Sequence, residues 1–268
     1  TNDEGWQQII NDLEDAFAVL PEVQAQKGRP SKAACAAFLA KAYLYKAYRQ
    51  DNASSHEVTA INDADLQKVV DYTDSKLYSN YGLEPDLHNN FRPEEVYENG
   101  KESLFQIQHQ NNNNVSGHCT FAMGFSNSEP VLILQNGFPA FDRFDARDQR
   151  KNGSFAKRLP LPGQAESDGS QKYFTFETPL FRKYIDTINY TMQTPYLAGQ
   201  NTNTTYLRYA EILLLKAEAE NELHGPTAEA YEAFNQVRRR AFRPCDRCFG
   251  RRSASRIHPG AVPLGTPA

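Results

Sequence analysis

The sequence is short of the residues that announce most chemistries. Four cysteines among 268 residues are too few for a disulfide scaffold and say little about redox compartment. Cys35 falls inside a helical pattern and reads as a small core residue, whereas Cys119 sits in a polar stretch. Cys245-Asp246-Arg247-Cys248 has redox or half-zinc spacing, but no second pair, strand or histidine pair accompanies it. The six histidines, His56, His88, His109, His118, His224 and His258, are scattered. Only His109 and His118, with Cys119 beside the second, flank one segment, and structural zinc wants four clustered ligands. Asp86 and its acidic neighbours fall short of a calcium loop. With no phosphate loop and no nucleophile elbow either, neither metal nor cofactor is expected.

A net positive charge is also lacking. The net charge of -4 and the pI near 5.9 provide no field for nucleic acid, and no RNA-binding aromatic motif occurs, so no nucleic-acid partner is expected. No apolar run approaches the roughly 20 residues that cross a bilayer, and no basic-then-apolar segment opens the chain. The expectation for an exported protein is therefore that its signal has been removed. What is present in quantity is apolar surface: 40% hydrophobic residues can bury a substantial core.

Helical periodicity fills both ends. From Trp6 to Leu20 the set Trp6, Ile9, Ile10, Leu13, Ala16, Phe17 and Leu20 marks an amphipathic helix, with Asn2 or Asp3 as cap and Pro21 as stop, and places the only Trp in packing. Ser31 caps an Ala-rich helix running to about Tyr48. Asn62 or Asp63 opens a third with Leu66, Val69, Val70, Thr73 and Leu77. Between Tyr206 and Ala241 two more helices meet at His224-Gly225-Pro226, with Thr227 as the second cap. Tyr206, Tyr209, Ala210, Leu213, Leu214 and Ala217 share one face of the first, and Ala230, Tyr231, Phe234, Val237 and Ala241 one face of the second. Such pairs have tetratricopeptide size, and Phe38 to Ala42 echoes Leu213 to Ala217.

From Gly82 to about Gln200 the helical pattern stops. Glu102 to Gln110 alternates as a strand, and Val131 to Leu134 is an apolar run readable as strand or buried turn. An insert this long between scaffold helices exceeds a mere connection, and binding residues concentrate on loops carried by rigid frames. The expected organisation is a helical scaffold over 1–81, a loop-rich insert with a candidate ligand surface over 82–204, a helical hairpin over 205–243, and an atypical tail over 244–268. The fold class is mainly α: tetratricopeptide-like hairpins around a loop-rich insert with a few short strands. The tail holds four Arg and one Asp without helical or strand period, and reads as disordered and as a truncated or frame-shifted end.

The wording of the helices says more than their period. LRYAEILLLKAEAENEL followed by AEAYEAFNQVRRRA closely resembles the SusD/RagB family of surface lipoproteins. WQQIINDLEDAFAVLP, GRPSKAACAAFLAKAYLYKAY, ESLFQIQHQ, DARDQR and FRKYID resemble it in the same order. The resemblance implies oligosaccharide or polysaccharide binding and delivery to a SusC-like TonB-dependent outer-membrane transporter. It also implies a place on the extracellular face of the outer membrane, lipid-anchored through a Cys that this chain does not show. Some resembling proteins take peptides instead, and a helical-repeat adaptor for another protein is the alternative from a different class.

Sugar recognition needs flat ring faces for C–H surfaces and paired donors and acceptors for hydroxyls. Both crowd between Gln110 and Arg147, and chemistry and location select Asn111, Asn113, Phe121, Phe125, Phe138, Asp142 and Arg143 as ligand residues. The competing reading makes Asn111 to Asn114 a polar turn and the Phe residues core. Phe141 to Arg150 interleaves three carboxylates with three guanidinium groups. A glycosidase reading would need two of those carboxylates about 5 to 9 Å apart across a sugar. Alternating opposite charges instead pair with one another and stay ionised, so no catalytic residue and no enzyme activity is expected.

Overall fold

The computed structural model describes residues 2–50, 57–92, 99–109, 139–181 and 203–242. Its frame is helical, and Ser31, Asn62, Gly225 and Thr227 stand at helix ends as their sequence positions suggest, whereas Asn2 and Asp3, expected as the first cap, lie within the first helix. α1 (Asn2–Val19) leads through a turn to α2 (Lys32–Ala47), where the Ser31 hydroxyl accepts from the Ala34 amide at 3.3 Å. A two-residue bridge of β1 (Tyr48–Arg49) with β2 (Ala60–Ile61) closes the end of α2. α3 (Asp63–Tyr72) then starts beneath Asn62, whose Oδ1 accepts from the Ala64 and Asp65 amides at 3.0 and 3.2 Å. At the other end of the chain, α6 (Tyr209–His224) stops at Gly225, which takes φ 77°, and Thr227 caps α7 (Ala228–Ala241) through the Ala230 amide at 3.2 Å.

α2 is the centre, with α1, α3 and α6 packed around it. Ala34, Ala36, Ala37, Ala40 and Ala47 are fully buried, because methyl side chains let three neighbours approach one helix. Leu39, Leu66, Val69 and Ile212 fill the gaps with essentially no exposure, each contributing on the order of 2 kcal/mol. Polar ties cross the same seams. Glu14 of α1 accepts from Tyr43 of α2 at 2.8 Å and from Tyr72 of α3 at 3.4 Å, and Lys41 of α2 meets Glu211 of α6 at 2.8 Å. Burial pushes the Cys35 thiol up, and its Sγ donates to the Leu13 carbonyl, so it is core rather than reactive.

Several side chains face otherwise than their spacing suggests. Ile9 and Leu214 are exposed while Ile10 and Leu215 are buried. α6 packs on α2 and α3 with one side and on α7 with another, so no single stripe describes it. Tyr206 belongs not to a helix but to β6 (Thr204–Arg208), and it is exposed. Tyr231 and Phe234 are also exposed; α7 packs through Ala230, Ala233, Arg240 and Ala241 instead. α3 ends at Thr73, whose hydroxyl donates to the Val69 carbonyl, and Leu77 falls in a separate 3-10 turn, Ser75–Tyr78.

β3 (Ser103–Ile107) pairs antiparallel with β6, Ile107 opposite Thr204, and so ties the insert's entry to its exit. Within the insert, α4 (Pro139–Arg143) and α5 (Gln149–Ser154) precede a long antiparallel hairpin of β4 (Phe155–Ala165) and β5 (Gln171–Phe181). The sequence reading names no strand there.

Candidate functional site

Of the seven ligand residues selected from sequence, the structure places Asp142 and Arg143, both exposed on α4. Asn111, Asn113, Phe121, Phe125 and Phe138 lie outside the described residues, as do His118 and Cys119. Downstream of α4 the charges pair as their alternation predicts. Arg147 grips Asp145 through Nε and Nη2 at 3.1 and 2.7 Å, and Arg150 grips Asp148 through Nη2 at 2.6 Å. The Arg147 side chain, with help from its amide, holds the Asp145 carboxyl at about 2, so it offers no proton near neutral pH. Asp148 is buried and also accepts the Arg150 amide, which makes it a structural cap of α5.

Beside this turn the hydrophobic effect and the ring quadrupole build a cationic surface. Phe155 is buried at the start of β4, and the rings of Phe141 and Phe144 meet it edge-on, each with centroids 5.8 Å away. Lys151 and Lys157 both lie over Phe141, at 4.2 and 5.4 Å from its centroid, and Arg150 lies over Phe144 at 5.7 Å. Further along the hairpin Arg158 covers Tyr173 at 4.6 Å, and that tyrosine is 40% exposed. The surface thus offers aromatic rings and ammonium donors together. It also adjoins, in sequence, the 110–138 segment that carries the remaining selected residues.

What roots the insert on the frame is a buried node that sequence reasoning missed. Glu102, with no exposure, accepts from Arg208 at 2.8 Å, from Arg240 at 2.8 and 3.4 Å, from Asn90 at 3.0 Å and from the Glu84 amide at 2.9 Å. One carboxylate therefore joins β3, β6, α7 and the loop before the 3-10 turn Leu87–Phe91. Arg240 falls on the Ala230, Ala233, Val237, Ala241 stripe of α7, and that spacing could have singled it out from its neighbours Arg238 and Arg239. At the open end of β3 the His109 amide donates to Asn203 Oδ1 at 2.9 Å, and its ring meets Thr204 Oγ1 at 2.8 Å. Burial depresses the His109 pKa, which favours the neutral ring. Among the described residues no three His, Cys, Asp or Glu side chains gather as a metal site, and no helix is long and apolar enough to cross a membrane.

Solved structures share this fold. A SusD superfamily protein from Parabacteroides distasonis superposes with a TM-score of 0.67 at 20% identity, over 87% of this chain and 49% of that one. Surface glycan-binding protein A from Bacteroides thetaiotaomicron, solved in complex with laminarihexaose, gives a TM-score of 0.64 at 20% identity, over 90% of this chain and 54% of that one. These likenesses define the class of fold. In sequence, the SusD family model matches residues 20–245. SusD-like protein P2 of Formosa agariphila is 30% identical across 89% of this chain and 47% of its own length. The chain belongs to the SusD family, and it spans about half the length of the relatives it matches.

Proposed function

We propose that the protein is a non-enzymatic, cell-surface glycan-binding protein. It captures an oligosaccharide and delivers it to a TonB-dependent outer-membrane transporter of SusC type, from a lipid-anchored position on the extracellular face of the outer membrane. The observation that carries this reading is the family match over residues 20–245, which runs through the insert as well as the helices. The fold shared with a surface glycan-binding protein seen with laminarihexaose supports it. So does the chemistry of the insert, where rings and donors stand side by side. The self-paired Asp145 and Asp148 supply no acid and base couple for hydrolysis.

In this reading the helices are an inert frame, and Asn111, Asn113, Phe121, Phe125, Phe138, Asp142 and Arg143 contact the sugar. Calorimetric titration of the full chain against a panel of neutral and charged oligosaccharides tests it. Binding to at least one member is expected, weakened by Phe121→Ala or Phe138→Ala and without release of reducing ends. Absence of binding across the panel overturns it, and peptide binding in place of sugar would reassign the cargo.

A further inference from the structure

A cleft of about 250 Å³ lies between the loop that follows α1 and the turn that enters β3. Gln24 to Arg29 form one wall, Asn80, Tyr81 and Lys101 the other, and Phe105 of β3 contributes a ring. Its shape is held by backbone conformations with left-handed φ. Gly28 has φ 82°, and a Cβ there would stand 2.7 Å from Cγ of Gln108, so a side chain would strain the backbone and displace Gln108. Asn99 has φ 54° and is clamped by its side chain, which exchanges hydrogen bonds of 2.9 and 2.8 Å with the Gln108 amide. Its own amide donates to Gln106 Oε1 at 3.1 Å.

The groups that shape the cleft are spent on one another, and Tyr81 OH is likewise paired with Ser31 Oγ at 3.1 Å. Among the described residues, three cationic groups are left open, together with the Glu22 carboxylate. Arg29 uses only Nε, toward Gln26 Oε1 at 2.6 Å, and the ammonium groups of Lys27 and Lys101 have no partner among the described residues. Against three cations the lining sets one carboxylate, Glu22, in a chain whose net charge is -4. The volume falls below the roughly 300 to 1,000 Å³ of pockets for drug-sized ligands, so it suits one sugar residue with its substituent rather than a chain.

We propose that this cleft is a second saccharide site that takes a single residue bearing an anionic group, a carboxylate or a sulfate ester. Lys27, Arg29 and Lys101 face the anion, and Tyr81 and Phe105 offer ring surface to the pyranose. The inference rests on the glycan-binding reading for its ligand class but on different residues for its site.

The test is calorimetric titration of the full chain at low salt with trigalacturonate, a sulfated galactan tetrasaccharide, neutral maltotriose and inorganic sulfate. The same probes are run on the Lys27→Gln/Lys101→Gln double variant, both positions being exposed and outside the core. The wild type is expected to bind at least one charged oligosaccharide, and the carboxylated and sulfated probes tell which anion is preferred. The double variant should lose at least about tenfold in that affinity, with neutral binding and the melting temperature unchanged. Unchanged affinity in the double variant, binding of neutral sugars alone, or inorganic sulfate binding as tightly as the charged oligosaccharide overturns the second saccharide site and leaves the proposed function standing. Absence of binding to every oligosaccharide overturns both readings.

Discussion

Glu102 and Asp145 both hold arginine, yet they do opposite things. Asp145 is exposed, and its partner Arg147 is two residues away, so the pair forms wherever the turn forms and ties nothing else together. Glu102 is fully buried, and its arginines come from 106 and 138 residues further along the chain. Its ion pairs exist only when β3, β6 and α7 have all arrived. A fully buried carboxylate with one buried and one half-buried guanidinium is expensive to desolvate, and the Arg240 Nε has no acceptor among the described residues, so the node confers position more than net stability. A motif rich in alternating charge is legible in sequence but local in consequence. An isolated acidic residue at a strand start is illegible and organises the molecule.

That contrast can be broken by measurement. The largest effect is expected for Glu102→Ala, which strands two arginines: about 3 to 5 kcal/mol lost in denaturant unfolding. A loss below about 1 kcal/mol would show the node to be dispensable. Next, a double-mutant cycle of Glu102→Gln with Arg240→Met should return a coupling of about 1 to 3 kcal/mol. Additive losses would mean that the two groups do not act as one unit.

A smaller effect is expected at Asp86, whose carboxyl His88 holds at about 2. A carboxyl depressed on folding contributes stability above its unfolded value near 3.8, and that contribution is lost as pH falls toward 2. Asp86→Asn should therefore cost below about 1 kcal/mol at pH 7, and the gap to wild type should close between about pH 4 and pH 2. Smallest of all, Asp145→Asn should leave the melting temperature at neutral pH within error, because solvent screens an exposed pair. A clear drop would make the local pair an organiser after all.

The helical frame was legible because its signals are local. Ser31, Asn62 and Thr227 cap the helices that follow them, and Gly225 ends α6. The facing of side chains was less so, since a helix clasped on two sides, as α6 is, buries Ile212 and Leu215 as well as Leu213. The hairpin of β4 and β5 was hidden by composition. β4 carries Pro160, Pro162 and Gly163, which read as breakers, but a two-stranded sheet is all edge, and an edge strand tolerates the missing donors. At the candidate surface, the self-pairing of Asp145 and Asp148 could be read from their spacing. The convergence of Lys151 and Lys157 on Phe141 could not, because it depends on α5 and β4 folding back over α4.

The pairing of Ile107 with Thr204 means that the two ends of the intervening stretch leave the frame side by side, roughly 5 Å apart between Cα atoms. Loops between them can lengthen or shorten at little cost to that closure, since each doubling of loop length costs only about 0.6 kcal/mol. A chassis with such a socket lets new loops be fitted as interchangeable cassettes, while the parts that give the molecule its stability stay as they are.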